Sequence, residues 1–312
     1  MATGSWSARN PPYTVLLAAY GSPRTLDEVE PYLHDVRGGR PVDRQVVEAL
    51  RRRYAAIGGH SPLLECTSAQ ADALARALND GTPVYVGMRH WHPYIHDVMA
   101  RIREEGHRRV VAIPLAPHYS RMSIGAYRQA IERARGSLQA VFVRPWHDHP
   151  GFLDAVTQRV VEGLERFDAG VRDRVALIFT GHSLPQHILR DGDPYPEQLR
   201  ASIDGVLDRL GGRGGQLAFQ SAGQTDEPWL GPDASQVLSR LAAGGTQHAL
   251  LCPIGFVSDH LEVLYDVDIE LQALARRVGI HLERTASLND WPAFISVLAS
   301  LVHEAASTAA WT

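Results

Sequence analysis

The stretch Val175-Ala-Leu-Ile-Phe-Thr-Gly-His-Ser-Leu-Pro185 decides the fold, because the chain carries a second version of it. The counterpart is Val15-Leu-Leu-Ala-Ala-Tyr-Gly-Ser-Pro23, again an apolar run closed by a glycine turn and a proline. Continuous apolar runs of this length between turn signals read as strands buried on both faces. Two more pairs follow in the same order. Val84-Tyr-Val-Gly-Met-Arg-His-Trp-His-Pro93 matches Leu217-Ala-Phe-Gln-Ser221 with Trp229-Leu-Gly-Pro232, and Ala112-Ile-Pro-Leu-Ala-Pro-His-Tyr-Ser120 matches Leu250-Leu-Cys-Pro-Ile-Gly-Phe-Val-Ser258. Matched strand-plus-loop units in one order argue for a duplicated α/β unit.

The expected architecture is therefore α/β, with two similar Rossmann-like domains. Each would be a parallel sheet flanked by helices, with a cleft between the domains. Residues 1–12 read as an N-terminal tail, 13–144 as the first domain and 145–290 as the second. A C-terminal helix within 291–312 is expected to pack back on the first domain. Strands are expected over 13–19, 83–87, 110–115, 140–143, 175–180, 216–220 and 249–252, with helices such as 94–105, 125–134 and 151–166 between them.

Composition excludes several function classes. The net charge of −4 gives a nucleic-acid role no global electrostatic support. The 2 cysteines, Cys66 and Cys252, can build neither a disulfide framework nor a four-cysteine iron–sulfur site within one chain. The sequence contains no lysine, which removes the Gly-Lys-Ser/Thr phosphate loop and every lysine Schiff base. The polar start from Met1 to Pro12 has no apolar core of a signal peptide, and no run approaches the ~20 apolar residues of a spanning helix. The expected location is the cytoplasm, and the expected state a monomer.

Chemistry concentrates at strand ends. The segment Pro253-Ile-Gly-Phe-Val-Ser-Asp-His-Leu-Glu-Val-Leu-Tyr-Asp-Val-Asp-Ile-Glu270 follows a strand. Read as a helix, it places Asp259, Glu262, Asp266 and Glu270 on one face. Like charges at this spacing repel, so the row suits a place where a cation is received, at the sheet edge where open α/β folds bind ligands. The plainer reading is a solvated helix face, but Phe256, Val257, Leu261, Leu264 and Tyr265 make the helix amphipathic and anchor it. His260 falls about 160° from Glu262 on a helix of 3.6 residues per turn, which ranks it lower. His182 ends the strand of the opening stretch and can act as a base near neutral pH. Imidazole plus carboxylate oxygens suit a divalent ion in transit, where a closed structural site would want more thiolates or imidazoles.

Arg37, Arg40, Arg44, Arg51, Arg52 and Arg53 crowd one short region and suit a polycarboxylate ligand through bidentate pairing. The alternative is a solvent-facing helix whose arginine stems cover apolar surface. Arg37, Arg53 and Tyr54 rank highest because they flank the turns Gly38-Gly39 and Gly58-Gly59. Tyr20 ends the first strand, mirrors Gly181-His182, and so falls on the opposite wall of the cleft. It could be core packing, or a phenolate that ligates iron.

With these residues in view the chain resembles the ferrochelatase family over nearly its whole length. The motifs are Ala19-Tyr-Gly-Ser-Pro23, Arg53-Tyr-Ala-Ala-Ile-Gly-Gly-His-Ser-Pro-Leu63, Leu115-Ala-Pro-His-Tyr-Ser120, Gly181-His-Ser-Leu-Pro185, Gly192-Asp-Pro-Tyr-Pro196, Gln220-Ser221, Pro228-Trp-Leu-Gly-Pro232 and Pro253-Ile-Gly-Phe-Val-Ser-Asp-His-Leu-Glu262. Tyr20 looks like the coproporphyrin-using branch of Gram-positive type; the protoporphyrin-using branch carries methionine-glycine-glycine-proline there. The resemblance implies insertion of Fe(II) into a porphyrin, coproporphyrin III giving coprohaem, in haem biosynthesis. It implies His182 and Glu262 as the catalytic and metal-site pair, with Tyr20 as axial ligand in the product. It implies Arg37, Arg53, Tyr54, Ser61 and Tyr127 at the propionates or the macrocycle edge. Asp266 and Glu270 match an outer site for a hydrated divalent ion. Arg89 and Arg121 depart from the family pattern. No organic cofactor and no iron–sulfur cluster is expected; Fe(II) and the porphyrin are the substrates, and transient contact with neighbouring haem-pathway enzymes is the partner expectation. Three other readings stay open: a protoporphyrin IX ferrochelatase, a sirohydrochlorin-type chelatase, and a non-catalytic haem or porphyrin carrier.

Overall fold

The computed structural model describes residues 12–223, 225 and 227–311, so the expected tail over 1–12 lies outside the described residues apart from Pro12. Eight strands are described, in two all-parallel sheets. The first holds β1 (Thr14–Ala19), β2 (Val84–Met88), β3 (Arg109–Pro114) and β4 (Gln139–Phe142) in the order β2-β1-β3-β4. The second holds β5 (Ala176–His182), β6 (Gly215–Gln220), β7 (His248–Cys252) and β8 (His281–Arg284) in the order β6-β5-β7-β8. The two orders are the same, so the repeat read from the sequence is a repeat of topology.

Seven strands fall where apolar runs place them. β8 escapes sequence reading because His281-Leu-Glu-Arg284 is short, polar and buries chiefly Leu282. It forms the outer edge of its sheet, pairing with β7 alone.

Alternation along β1 serves two layers. Val15 and Leu17 face a large cluster that also contains Val111, Val175, Leu177, Phe179 and Phe219. Leu16 and Ala18 face the other side of the first sheet with Ile95, Met99 and Ile102. The outer face of the second sheet has its own cluster around Ile178, Leu251, Val267 and Leu271. The large cluster thus joins the inner faces of both sheets. It is filled by Phe152, Val156 and Val160 of the helix Pro150–Leu164 and by Phe294, Leu298 and Val302 of the helix Pro292–Thr308. That C-terminal helix packs against the helix Leu63–Leu78, the helix Pro150–Leu164, β3 and β4. Among the described residues no helix is long and apolar enough to cross a membrane.

β1 and β5 are each the strand from which the chain moves first to one side and then to the other. Such a position is a switch point, and the crevice outside its carboxyl end is where open α/β sheets bind ligands. Tyr20 follows β1 directly and His182 ends β5.

Candidate active site

His182 is held by backbone fit as much as by its own bonds. A Cβ on Gly181 would come within 2.8 Å of Leu199 Cδ1 and 2.9 Å of the Tyr195 hydroxyl, so only glycine lets β5 end here. Tyr195 uses that closeness to donate its hydroxyl to the His182 carbonyl at 3.0 Å. The His182 Nδ1–H donates to the Ser183 carbonyl, which leaves Nε2 facing Glu262 Oε1 at 3.3 Å. Burial alone would favour the neutral imidazole. The Glu262 carboxylate overrides it and holds the His182 pKa up at about 9. Burial would likewise raise the Glu262 pKa, but His182 and then His260 hold it well below the usual carboxylate range. The resting pair is an imidazolium and a carboxylate, and a divalent cation entering between them would displace the proton on Nε2.

The acidic segment is not the α-helix that its spacing suggests. One residue, Leu261, opens it, and Glu262–Leu271 forms a π-helix with i→i+5 bonding, a geometry found mostly at functional sites. His260 stands just before the helix. Helical geometry does not apply to it, and its Nε2 lies 3.6 Å from Glu262 Oε2 while its Nδ1–H meets the Ser258 carbonyl at 3.0 Å. The low rank given to His260 from helix geometry is therefore corrected: two imidazoles flank one carboxylate, each with Nδ1 pinned to a main-chain oxygen, which fixes the tautomer as in metal-binding histidines. Asp259 likewise leaves the expected row. It accepts from Ser287 Oγ at 2.7 Å and Asn289 Nδ2 at 2.9 Å, and pairs with Arg284 at 3.3 Å. Arg284, on the strand missed in the sequence, also grips Asp268 at 2.7 and 2.9 Å.

Asp266 is buried and takes Arg53 from across the cleft and the Ser221 hydroxyl. Burial raises its pKa, the Arg53 charge works against that rise, and the Glu262 charge adds to it. Glu270 is exposed four positions on. Among the described residues no three His, Cys, Asp or Glu side chains converge tightly enough to hold a cation by themselves.

The facing wall belongs to the first sheet. Tyr20 is 41% exposed, meets the His90 ring at a tilt with centroids 4.7 Å apart, and lies under the Arg89 guanidinium at 6.0 Å. Desolvation pushes its phenol up to about 12 against the pull of Arg89, and the charges of Glu262 and Asp35 add to the rise. Tyr54 and Tyr127 are buried, and burial raises both phenols, with Glu262 acting on Tyr54 and Tyr20 on Tyr127. Arg53 lies over the Tyr265 ring at 4.8 Å, with its Nε buried and unpartnered. Tyr20, Tyr54, Tyr127, Arg53, His182, Glu262 and Asp266 are thus one electrostatic neighbourhood. Two expected residues are tied elsewhere. Ser61 is buried and its hydroxyl accepts from Leu63 N at 3.3 Å, opening the helix Leu63–Leu78. Arg37 is exposed on the turn after the helix Val29–Val36, where its carbonyl accepts from Arg40 Nε at 3.0 Å. Both cysteines are free thiols, with burial pushing Cys66 up to about 11 and Cys252 up to about 12.

Paired parallel sheets with a His–Glu pair at a shared cleft define the chelatase class of fold. SirB from Bacillus subtilis with Fe3+ superposes on 95% of this chain and 96% of its own at a TM-score of 0.58 and 12% identity. CbiX, described as the terminal enzyme of siroheme biosynthesis in denitrifying bacteria, covers 94% and 99% at 0.53 and 13%. At such identity the likeness is one of fold. The chain belongs to the ferrochelatase family, whose sequence model matches residues 13–306. A ferrochelatase of Herpetosiphon aurantiacus is 44% identical over 92% of this chain and 97% of its own length. A coproporphyrin III ferrochelatase of Halalkalibacterium halodurans is 37% identical over 93% and 96%. The protein is accordingly a metal chelatase, a lyase of haem biosynthesis with iron and a porphyrin as substrates.

Proposed function

We propose that this chelatase inserts Fe(II) into coproporphyrin III to give coprohaem. The observation that carries the reading is the His182–Glu262 pair at the carboxyl end of β5, with Tyr20 at the corresponding end of β1. Coproporphyrin bears four carboxylates, and the first half offers Arg53 beside Tyr265 and Arg89 beside Tyr20. A relative of the coproporphyrin type spans nearly the whole chain.

Insertion exchanges two pyrrole protons for the metal, with no redox change and no organic cofactor. His182 accepts a proton once its own has left, and Glu262 stabilises the imidazolium that forms. His260 holds the second carboxylate oxygen and is the further ligand candidate. Asp266, with its raised pKa, and exposed Glu270 offer the way out for protons and an outer place for a hydrated divalent ion, once Arg53 gives up Asp266. Tyr20 meets the metal from the other macrocycle face and becomes its axial ligand in the product. Arg37, Tyr54, Ser61 and Tyr127 bind the propionates and the macrocycle edge. The enzyme works as a monomer in the cytoplasm and hands its product on by brief contact with the next enzyme.

The test is anaerobic insertion of Fe(II) into coproporphyrin III and protoporphyrin IX in parallel, read by absorbance of the product. Preferred turnover of coproporphyrin supports the proposal. Turnover of protoporphyrin alone overturns the branch, and binding without turnover overturns the catalytic reading.

A further inference from the structure

Gln220 ends β6, is 3% exposed, and takes no part in the chemistry above. It stands beside His182 in the β5–β6 ladder, and its main-chain oxygen accepts from Ser183 N at 2.7 Å. Its side chain spans two elements. Oε1 accepts the Thr180 hydroxyl at 2.7 Å, and Nε2 donates to the Glu262 carbonyl at 2.9 Å. The buried side-chain amide therefore holds β5 two residues before His182 and also holds the first carbonyl of the π-helix, while the main chain of Gln220 holds the residue after His182.

Farther along the π-helix, Ser221 bonds Asp266 and Arg284 bonds Asp268, while Val267 and Leu271 pack on Ile178 and Leu251. Apolar contact is non-directional and tolerates sliding. Hydrogen bonds weaken steeply with misalignment, and a buried pair of them fixes register. The amide accepts from Thr180 and donates to a carbonyl at once, and asparagine is one methylene shorter.

We infer that Gln220 is a positioning residue that sets the separation of His182 Nε2 from Glu262 for metal insertion. The inference rests on the reading of that pair as the metal-handling site. A shift in the π-helix of a fraction of an ångström would alter the pair, while the porphyrin walls at Tyr20, Tyr54 and Tyr127 lie outside its reach.

The test compares the full-length wild type with Gln220→Leu, Thr180→Val, Thr180→Ser and Glu262→Gln, using Fe(II) and coproporphyrin III under anaerobic steady-state conditions. Porphyrin affinity is read separately by fluorescence quenching. Gln220→Leu and Thr180→Val should each lower kcat about tenfold to a hundredfold, the scale of a misplacement near 1 Å. Each should raise the KM for Fe(II) and leave porphyrin affinity within about twofold, a level well under one kcal/mol. Thr180→Ser keeps the hydroxyl and should recover most of the rate lost in Thr180→Val. A role in folding alone would not separate the two substrates, nor be rescued by a hydroxyl. If Gln220→Leu does not fold by circular dichroism, the threonine pair decides. Wild-type kinetics in Thr180→Val, or equal losses for metal and porphyrin, overturn the inference. Retained metallation in Glu262→Gln would overturn the reading of the site itself and the inference with it. A dead Glu262→Gln beside a fully active Gln220→Leu would overturn only the role of Gln220.

Discussion

Gly255 sits directly against Gly181: a Cβ built on Gly255 would stand 2.8 Å from the Gly181 Cα. The clash is with backbone, so no rotamer relieves it. Gly255→Ala must push β5 and the loop after β7 apart, and these carry His182 and lead to His260. We expect a loss of about 1–3 kcal/mol, the usual cost of overpacking, and a fall in metallation rate larger than the fraction unfolded explains. Urea denaturation and initial rates on the same preparation check both.

Glu262→Gln keeps the shape of the side chain and removes the charge that holds His182 protonated. Metallation should fall by at least about a hundredfold, a typical scale for losing a general acid–base partner, with porphyrin binding nearly intact. Equal loss of rate and porphyrin affinity would sink the catalytic role.

The same pair sets a pH dependence of stability. The His182 pKa is raised, so its contribution is complete below the ordinary histidine value of about 6.5 and disappears as pH climbs through about 9. The Glu262 pKa is depressed, so its contribution is present above about 4.5 and is lost only as pH falls through the folded value. Wild type should exceed Glu262→Gln in stability most between these limits, and the gap should close toward pH 9.5. Rate should run the other way, rising with pH as His182 loses its proton. Denaturant titrations of both proteins at a series of pH values, with rates alongside, test the two trends; a gap that widens above pH 8 would contradict the assignment.

Arg53 and Asp266 tie the first half to the π-helix. Arg53→Met strands a buried carboxylate and should cost about 1–3 kcal/mol. Adding Asp266→Asn should return part of that cost, because removing both partners is milder than removing one. A double-mutant cycle in urea measures the coupling; strict additivity would mean that Arg53 already lies free of Asp266 in solution.

Long apolar runs made the two sheets legible, since strands buried on both faces leave little room for another reading. The duplication was legible for the same reason, because its matched loops hang on those strands. The edge strand His281–Arg284 was not, and with it went Arg284, whose grip on Asp259 and Asp268 turns one member of the expected acidic row, and a neighbour outside it, into paired structural carboxylates. Residue spacing also cannot distinguish i→i+5 from i→i+4 bonding, so the π-helix had no signal. His260 ranks too low in the sequence because helical angles do not extend one residue beyond the helix. His182 and Glu262 lie far apart in sequence, and only their shared place at strand ends of one half hinted that they meet.

The cluster that joins the inner faces of both sheets carries a last consequence. The cleft walls are not two jaws on a hinge, because the helices Pro150–Leu164 and Pro292–Thr308 weld their backs together. Closing the slot would mean tearing that seam. A flat macrocycle bound between these walls would meet a shape that its own binding cannot redraw.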